Sequence, residues 1–113
     1  MSNSVKTIIY PVTELHDAKR AFTAVLGVEP VMDEPYYVGF DVDGQDIGLD
    51  PNGHSKGMTG PTAYIHVGDI KQSLQDLLDN GAEAQTDPQD VGGGRLIATV
   101  TLDGNVVGLL QDP

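Results

Sequence analysis

The chain contains no cysteine, which removes thiol nucleophiles, disulfides, CxxC redox chemistry and thiolate metal sites together. Acid–base and metal chemistry therefore rest on the three histidines, His16, His54 and His66, and on carboxylates that could join them. His16 follows Leu15 and falls off the apolar face of a helical pattern, while His54 lies in a Gly- and Ser-rich stretch. Only His66 falls in a run that reads as a strand. Together with Asp46 or Asp50 it could carry general acid–base chemistry or hold a cation weakly. No HExxH pair and no EF-hand spacing supports a dedicated metal site. Ser2, Ser4, Ser55 and Ser73 lie in no nucleophile-elbow context. Gly92-Gly93-Gly94 before Arg95 lacks the strand–loop–helix setting and the lysine of a phosphate loop. It reads as a flexible hairpin that could also serve as a mobile lid.

The elements that must position these residues belong to a chain of 113 residues, the size of one domain with a self-sufficient core. Seventeen acidic and six basic residues set the net charge at −11. Such a chain repels phosphate backbones, so nucleic acid and anionic membrane are poor partners, and a cationic ligand is favoured. No apolar run has the length of a signal h-region or a membrane span, so a soluble, cytoplasmic protein is expected.

Two helices are predicted. From about Glu14 to Leu26, the residues Leu15, Ala18, Phe22, Val25 and Leu26 share one face, and Gly27 stops the helix. From about Asp69 to Asn80, Ile70, Leu74, Leu77 and Leu78 share a face, with Asp69 as N-cap and Gly81 beyond the end. Short strands fill the rest. Thr7–Val12 and Thr62–Val67 each lead into a helix. Tyr36–Val42 and Gln45–Leu49 flank Asp43-Gly44, while Leu96–Leu102 and Asn105–Leu110 flank Asp103-Gly104; each Asp-Gly pair is a hairpin signal. Weaker strands are expected at Glu29–Asp33 and Ala82–Thr86.

The order repeats. VTEL (Val12–Leu15) matches VGDI (Val67–Ile70), LGVEP (Leu26–Pro30) matches NGAEA (Asn80–Ala84), and DGQDIGLD (Asp43–Asp50) matches DGNVVGLL (Asp103–Leu110). The unit is βαβββ, used twice: module one at about 5–50, a linker at about 51–61, module two at about 62–112, all within one domain. The fold class is α+β. The two modules are expected to form a curved mixed sheet around a concave cavity, with the helices on its outer face.

These paired modules, the V-x-[DE]-[LI] helix entries and the closing DG hairpins resemble the vicinal oxygen chelate superfamily. That group holds glyoxalase I, bleomycin-resistance proteins, fosfomycin-resistance enzymes and extradiol dioxygenases. GPTAYIHVGDI (Gly60–Ile70) and DVGGGRLIATVTLDGNVVGLLQ (Asp90–Gln111) are most similar to small bacterial glyoxalase-like proteins. In metal-dependent members, four strand positions carry His, Gln or Glu ligands. The resemblance places the first pair on Thr7 and Thr62, aligned through Val12 and Val67, and the second on Gly48 and Gly108, aligned through the DG turns. Threonine is a weak neutral donor and glycine has no side chain, so no metal and no other cofactor is expected. The vacant positions are expected to leave open space.

Strand alternation sends Ala63, Ile65 and Val67 under the helix, and Thr62, Tyr64 and His66 to the opposite face, where the resemblance places a ligand. Asp46, Gly48 and Asp50 share a face in module one, as do Val106, Gly108 and Leu110 in module two, and Tyr37 is the inward member of the Tyr36–Tyr37 pair. The candidate ligand contacts are therefore Tyr37, Asp50, Tyr64, His66, Val106 and Leu110. The resemblance implies a metal-free binding protein for a small, partly apolar molecule, with cationic ligands favoured by the charge. The alternatives are a lyase or isomerase of the same superfamily, using acid–base residues or a non-standard metal site, and an accessory protein whose cavity has closed. The resemblance further implies a homodimer.

Overall fold

A computed structural model describes residues 3–113. The chain divides into two compact units, Lys6–Thr62, and Ala63–Pro113 taken with the residues up to Val5. Each is built as a βαβββ module, so the α+β class and the doubled unit both stand.

Module one runs β1 (Ser4–Pro11), α1 (Leu15–Leu26), β2 (Met32–Glu34), β3 (Tyr37–Val42) and β4 (Gln45–Asp50). Its strands lie in the order β2-β3-β4-β1, with β1 parallel to β4 and the other pairs antiparallel. Module two runs β5 (Thr62–His66), α2 (Ile70–Asp79), β6 (Glu83–Asp90), β7 (Leu96–Leu102) and β8 (Asn105–Gln111). Its order, β6-β7-β8-β5, repeats the topology of module one: the strand before the helix pairs in parallel with the last strand.

Each helix buries one stripe on its own sheet. Leu15, Ala18, Phe22 and Leu26 pack on Val38, Phe40 and Leu49, and the Phe22 ring lies 5.0 Å from that of Tyr10. In module two, Leu74 and Leu77 pack on Val67, Ile70, Ala98 and Leu109. Val25, expected in this core, is 79% exposed. Three residues on from Phe22 is about 60° off the axis of the apolar stripe, which at the last turn leaves the side chain beyond the sheet. Ala63 is likewise exposed rather than packed under its helix.

Helix ends follow local chemistry. Gly27 closes α1 in the left-handed region (φ 75°), its N–H donating to the Thr23 carbonyl. Asp69 caps α2 by accepting from the Gln72 N–H at 3.2 Å. A second cap comes from β8, where the Gln111 side-chain oxygen accepts from the Ile70 N–H at 2.8 Å.

Both DG hairpins have positive φ at their two central residues, 53° and 86° at Asp43-Gly44, 51° and 79° at Asp103-Gly104. That is the type I′ pattern, whose twist matches that of the flanking strands. The less regular strands moved from their expected places. β2 starts at Met32, after the Val31 N–H donates to the Gly39 carbonyl. β6 runs through Pro88 to Asp90, beyond its expected end at Thr86. The proline is tolerated because β6 is the outermost strand of its module and its register with β7 skips between Thr86 and Gln89. The expected linker contains a 3₁₀ turn at His54–Lys56, with Gly53 pressed so close to Pro11 that a Cβ there would lie 2.6 Å from the proline's Cβ.

Candidate functional site

On each module, the sheet face turned away from the helix carries the residues singled out above. In module one β1 contributes Thr7, β4 contributes Asp46, Gly48 and Asp50, and β3 contributes Tyr37. Thr7 is buried at 1% exposure and donates to Asp46 at 3.3 Å, its register neighbour on β4. Asp50 is also buried. One of its oxygens accepts from the Asn52 N–H at 2.8 Å, and the other from the Lys56 ammonium at 2.9 Å. Its carboxylate thus pins the turn after β4, with Lys56 as counter-charge.

Tyr37 crosses from β3 to lie over β4. A Cβ built on Gly48 would sit 2.6 Å from the Tyr37 Cζ, in collision with the end of the phenol. The ring also passes over Gly39, the register partner of Gly48, where a Cβ would meet the ring at 3.3 Å. Two facing glycines make a trough in the sheet, and the phenol lies in it.

Module two repeats the arrangement by another route. Tyr64 on β5 is the direct register partner of Gly108 on β8. Its ring lies over that glycine, so a Cβ on Gly108 would sit 2.5 Å from Cδ1 and 2.8 Å from Cε1, and 2.9 Å from the Ala63 carbonyl oxygen. Tyr64 is buried at 4% exposure. Next along β8, Thr99 of β7 faces Gly108 and is held in a polar cluster. Its hydroxyl donates to the Gln85 side-chain oxygen at 2.8 Å, and its N–H donates to the Thr86 hydroxyl at 2.8 Å. The Thr86 hydroxyl satisfies a ladder donor that the irregular β6 backbone leaves unmatched.

His66 lies two residues beyond Tyr64 on the same face. Its Nδ1 is 3.5 Å from the Asp112 carboxylate, whose other oxygen accepts from the Arg95 Nε–H at 3.1 Å. The carboxylate that the structure brings to His66 is therefore Asp112. Among the other candidates, Leu110 is buried at 1% exposure and Val106 is open to solvent.

The side chains do not fit a divalent ion at the four positions marked by the resemblance. Gly48 and Gly108 offer no donor, and the space their side chains would use is taken by phenol rings. Thr7 is engaged with Asp46, and Thr62 is a buried neutral hydroxyl. Among the described residues, no three His, Asp or Glu side chains come together as a metal would require. The expectation of open space at residues 48 and 108 is corrected: the volume has been refilled from a neighbouring strand. A signal for this stood in the sequence, since a glycine inside a strand often marks a close approach by another group. Arg95 and Asp112 were missed because their partnership with His66 depends on the β5·β8 and β7·β8 registers.

No family model and no curated protein matches the chain. Solved structures do match it along nearly its whole length. A hypothetical protein from Bacillus halodurans C-125 superposes with a TM-score of 0.79 at 17% identity, covering 100% of this chain and 96% of the other. A glyoxalase/bleomycin resistance protein/dioxygenase superfamily member from Vibrio splendidus 12B01 gives 0.72 at 17% identity, covering 98% and 100%. Methylmalonyl-CoA epimerase from Mycobacterium tuberculosis gives 0.67 at 13% identity, covering 96% and 87%. The chain shares its fold with a glyoxalase/bleomycin resistance protein/dioxygenase superfamily member and with a methylmalonyl-CoA epimerase. At these identities the likeness establishes the fold, and function rests on the residues of the site.

Proposed function

We propose that this protein is a metal-free, glyoxalase/bleomycin-resistance-like binding protein. Its ligand is a small, partly apolar molecule held on the helix-averted face of a module. The observation that carries this reading is the pair of phenol rings over Gly48 and Gly108, which puts aromatic surface where a metal-dependent relative would present ligands. In module one Tyr37 supplies flat apolar contact; in module two the exposed Val106 supplies apolar contact and His66 fixes orientation, with Tyr64 and Leu110, buried at 4% and 1% exposure, forming the wall beneath. Asp50 acts through the turn it anchors. With a net charge of −11, a ligand with a cationic group is favoured. A cytoplasmic homodimer belongs to the same proposal; no helix among the described residues is long and apolar enough to cross a membrane.

The test is a melting-temperature screen with small aromatic molecules, neutral and cationic, followed by calorimetric titration of each hit. A molecule that binds only the folded state raises the melting temperature. Tyr37→Ala should then weaken binding by about 1–3 kcal/mol, the usual scale for a lost aromatic contact. Unchanged affinity in a folded Tyr37→Ala variant would place binding elsewhere.

A second reading is favoured by the contact of His66 with Asp112 and by the likeness to an epimerase. In it the protein is a lyase or isomerase in which His66, oriented by Asp112, moves a proton. Solvent-deuterium exchange into small carbon acids, followed by NMR, would show it. Exchange that is equally fast with His66→Gln would dismiss it.

A further inference from the structure

Each module places a tyrosine through the side-chain position of a strand glycine, and the two do so by different geometry. Tyr37 reaches Gly48 from a residue next to its antiparallel partner strand pairing, passing over Gly39, whereas Tyr64 reaches Gly108 directly across a parallel pair. The two strand contexts are unrelated, yet both end with a phenol filling the space above the glycine. A side chain at residue 48 or 108 and the phenol therefore exclude one another, since Cβ atoms do not approach other carbon atoms to 2.5–2.6 Å.

We infer that Tyr37 and Tyr64 are specificity-determining plugs: each closes the floor of its module's face above a strand glycine, so a bound molecule lies against the phenol and cannot reach the strand. The inference rests on reading this face as the binding face. It adds that the selectivity for flat ligands is set by two removable rings. Taking a ring away should uncover a slot of phenol shape, lined by glycine backbone, which a free phenol can re-enter. An apolar slot left by truncation commonly binds the small aromatic molecule that matches it.

The experiment uses p-cresol as probe and melting temperature as readout, on the full-length wild type, Tyr37→Ala, Tyr64→Ala and the same backgrounds with Gly48→Ala or Gly108→Ala. p-Cresol is expected to raise the melting temperature of each tyrosine variant by several degrees and to leave the wild type unchanged. Gly48→Ala should lower the melting temperature of the wild type but not that of Tyr37→Ala, since the nearest atoms to a Cβ there all belong to the Tyr37 ring, and the added methyl should abolish the p-cresol effect there. Gly108→Ala meets the Ala63 carbonyl as well as the Tyr64 ring, so its loss should be smaller in Tyr64→Ala than in the wild type without vanishing. Tyr64 is the more buried ring; if Tyr64→Ala does not fold, the Tyr37 and Gly48 pair carries the comparison. A wild type that responds to p-cresol as strongly as the variants would overturn the inference. So would a Gly48→Ala substitution equally harmful with and without Tyr37. Failure of the reading of function looks different: p-cresol rescue and glycine coupling persist, but no member of the aromatic screen raises the wild-type melting temperature. In that case the rings close a face that takes no ligand, and their closing role stands.

Discussion

The ring of Tyr64 covers Gly108, its own register partner across the parallel pair of β5 and β8. A side chain at residue 108 and this ring cannot share the space, so the two positions are coupled however far apart they lie in sequence. Gly48 has the same relation to Tyr37. Gly48→Ala should therefore lower stability by about 1–3 kcal/mol, the range for overpacking a filled interior. Urea denaturation measures it, and a change within about 0.5 kcal/mol, typical of unconstrained surface positions, would contradict it.

Glycine at 27 is required for another reason. Nothing lies within 4 Å of a Cβ there, yet φ is +75°. Gly27→Ala should destabilise by about 1–2 kcal/mol through backbone conformation alone. Gly60, equally open and without a positive φ, is the control, and Gly60→Ala should be close to neutral.

Asp50 was expected to meet a ligand, and its oxygens instead hold the Asn52 N–H and Lys56. Asp50→Ala should cost about 1–3 kcal/mol, because the part-buried hydrogen bond from the Asn52 N–H to a charged acceptor is lost. Lys56→Ala should cost less, since its ammonium is largely exposed and such pairs contribute about 0–1 kcal/mol. Equal losses in denaturation experiments would contradict this division.

Core substitutions should divide along the two clusters. Phe40, at 1% exposure beneath α1, should lose about 3–5 kcal/mol on Phe40→Ala. Val25→Ala should change stability by no more than about 0.5 kcal/mol. Thermal or chemical unfolding of both variants checks the pair of values.

Much of the fold was legible because its signals are local. The Asp-Gly pairs named both hairpins, Gly27 and Asp69 named helix ends, and the doubling of VTEL with VGDI and of DGQDIGLD with DGNVVGLL exposed the repeat. β6 was read too short because EAQTDPQD carries no apolar alternation, and its exposed residues are held as a strand by pairing with β7 rather than by a buried face. Alternation correctly put Gly48 and Gly108 opposite the helices. It could not show which side chain would cross over them, because that depends on register between strands far apart in sequence. The same dependence hid Asp112, which meets His66, and Arg95, which meets Asp112, only once β5, β7 and β8 are paired.

Phenol rings stand over Gly48 and Gly108, two of the positions that the resemblance marks for metal ligands. Elemental analysis of the purified protein, with melting curves in Zn²⁺, Ni²⁺ and Mn²⁺, tests this most directly. The expected result is no stoichiometric metal and no rise in melting temperature with any of the three ions. A divalent ion retained near one equivalent per chain, with a melting temperature that rises on its addition and falls on chelation, would contradict it.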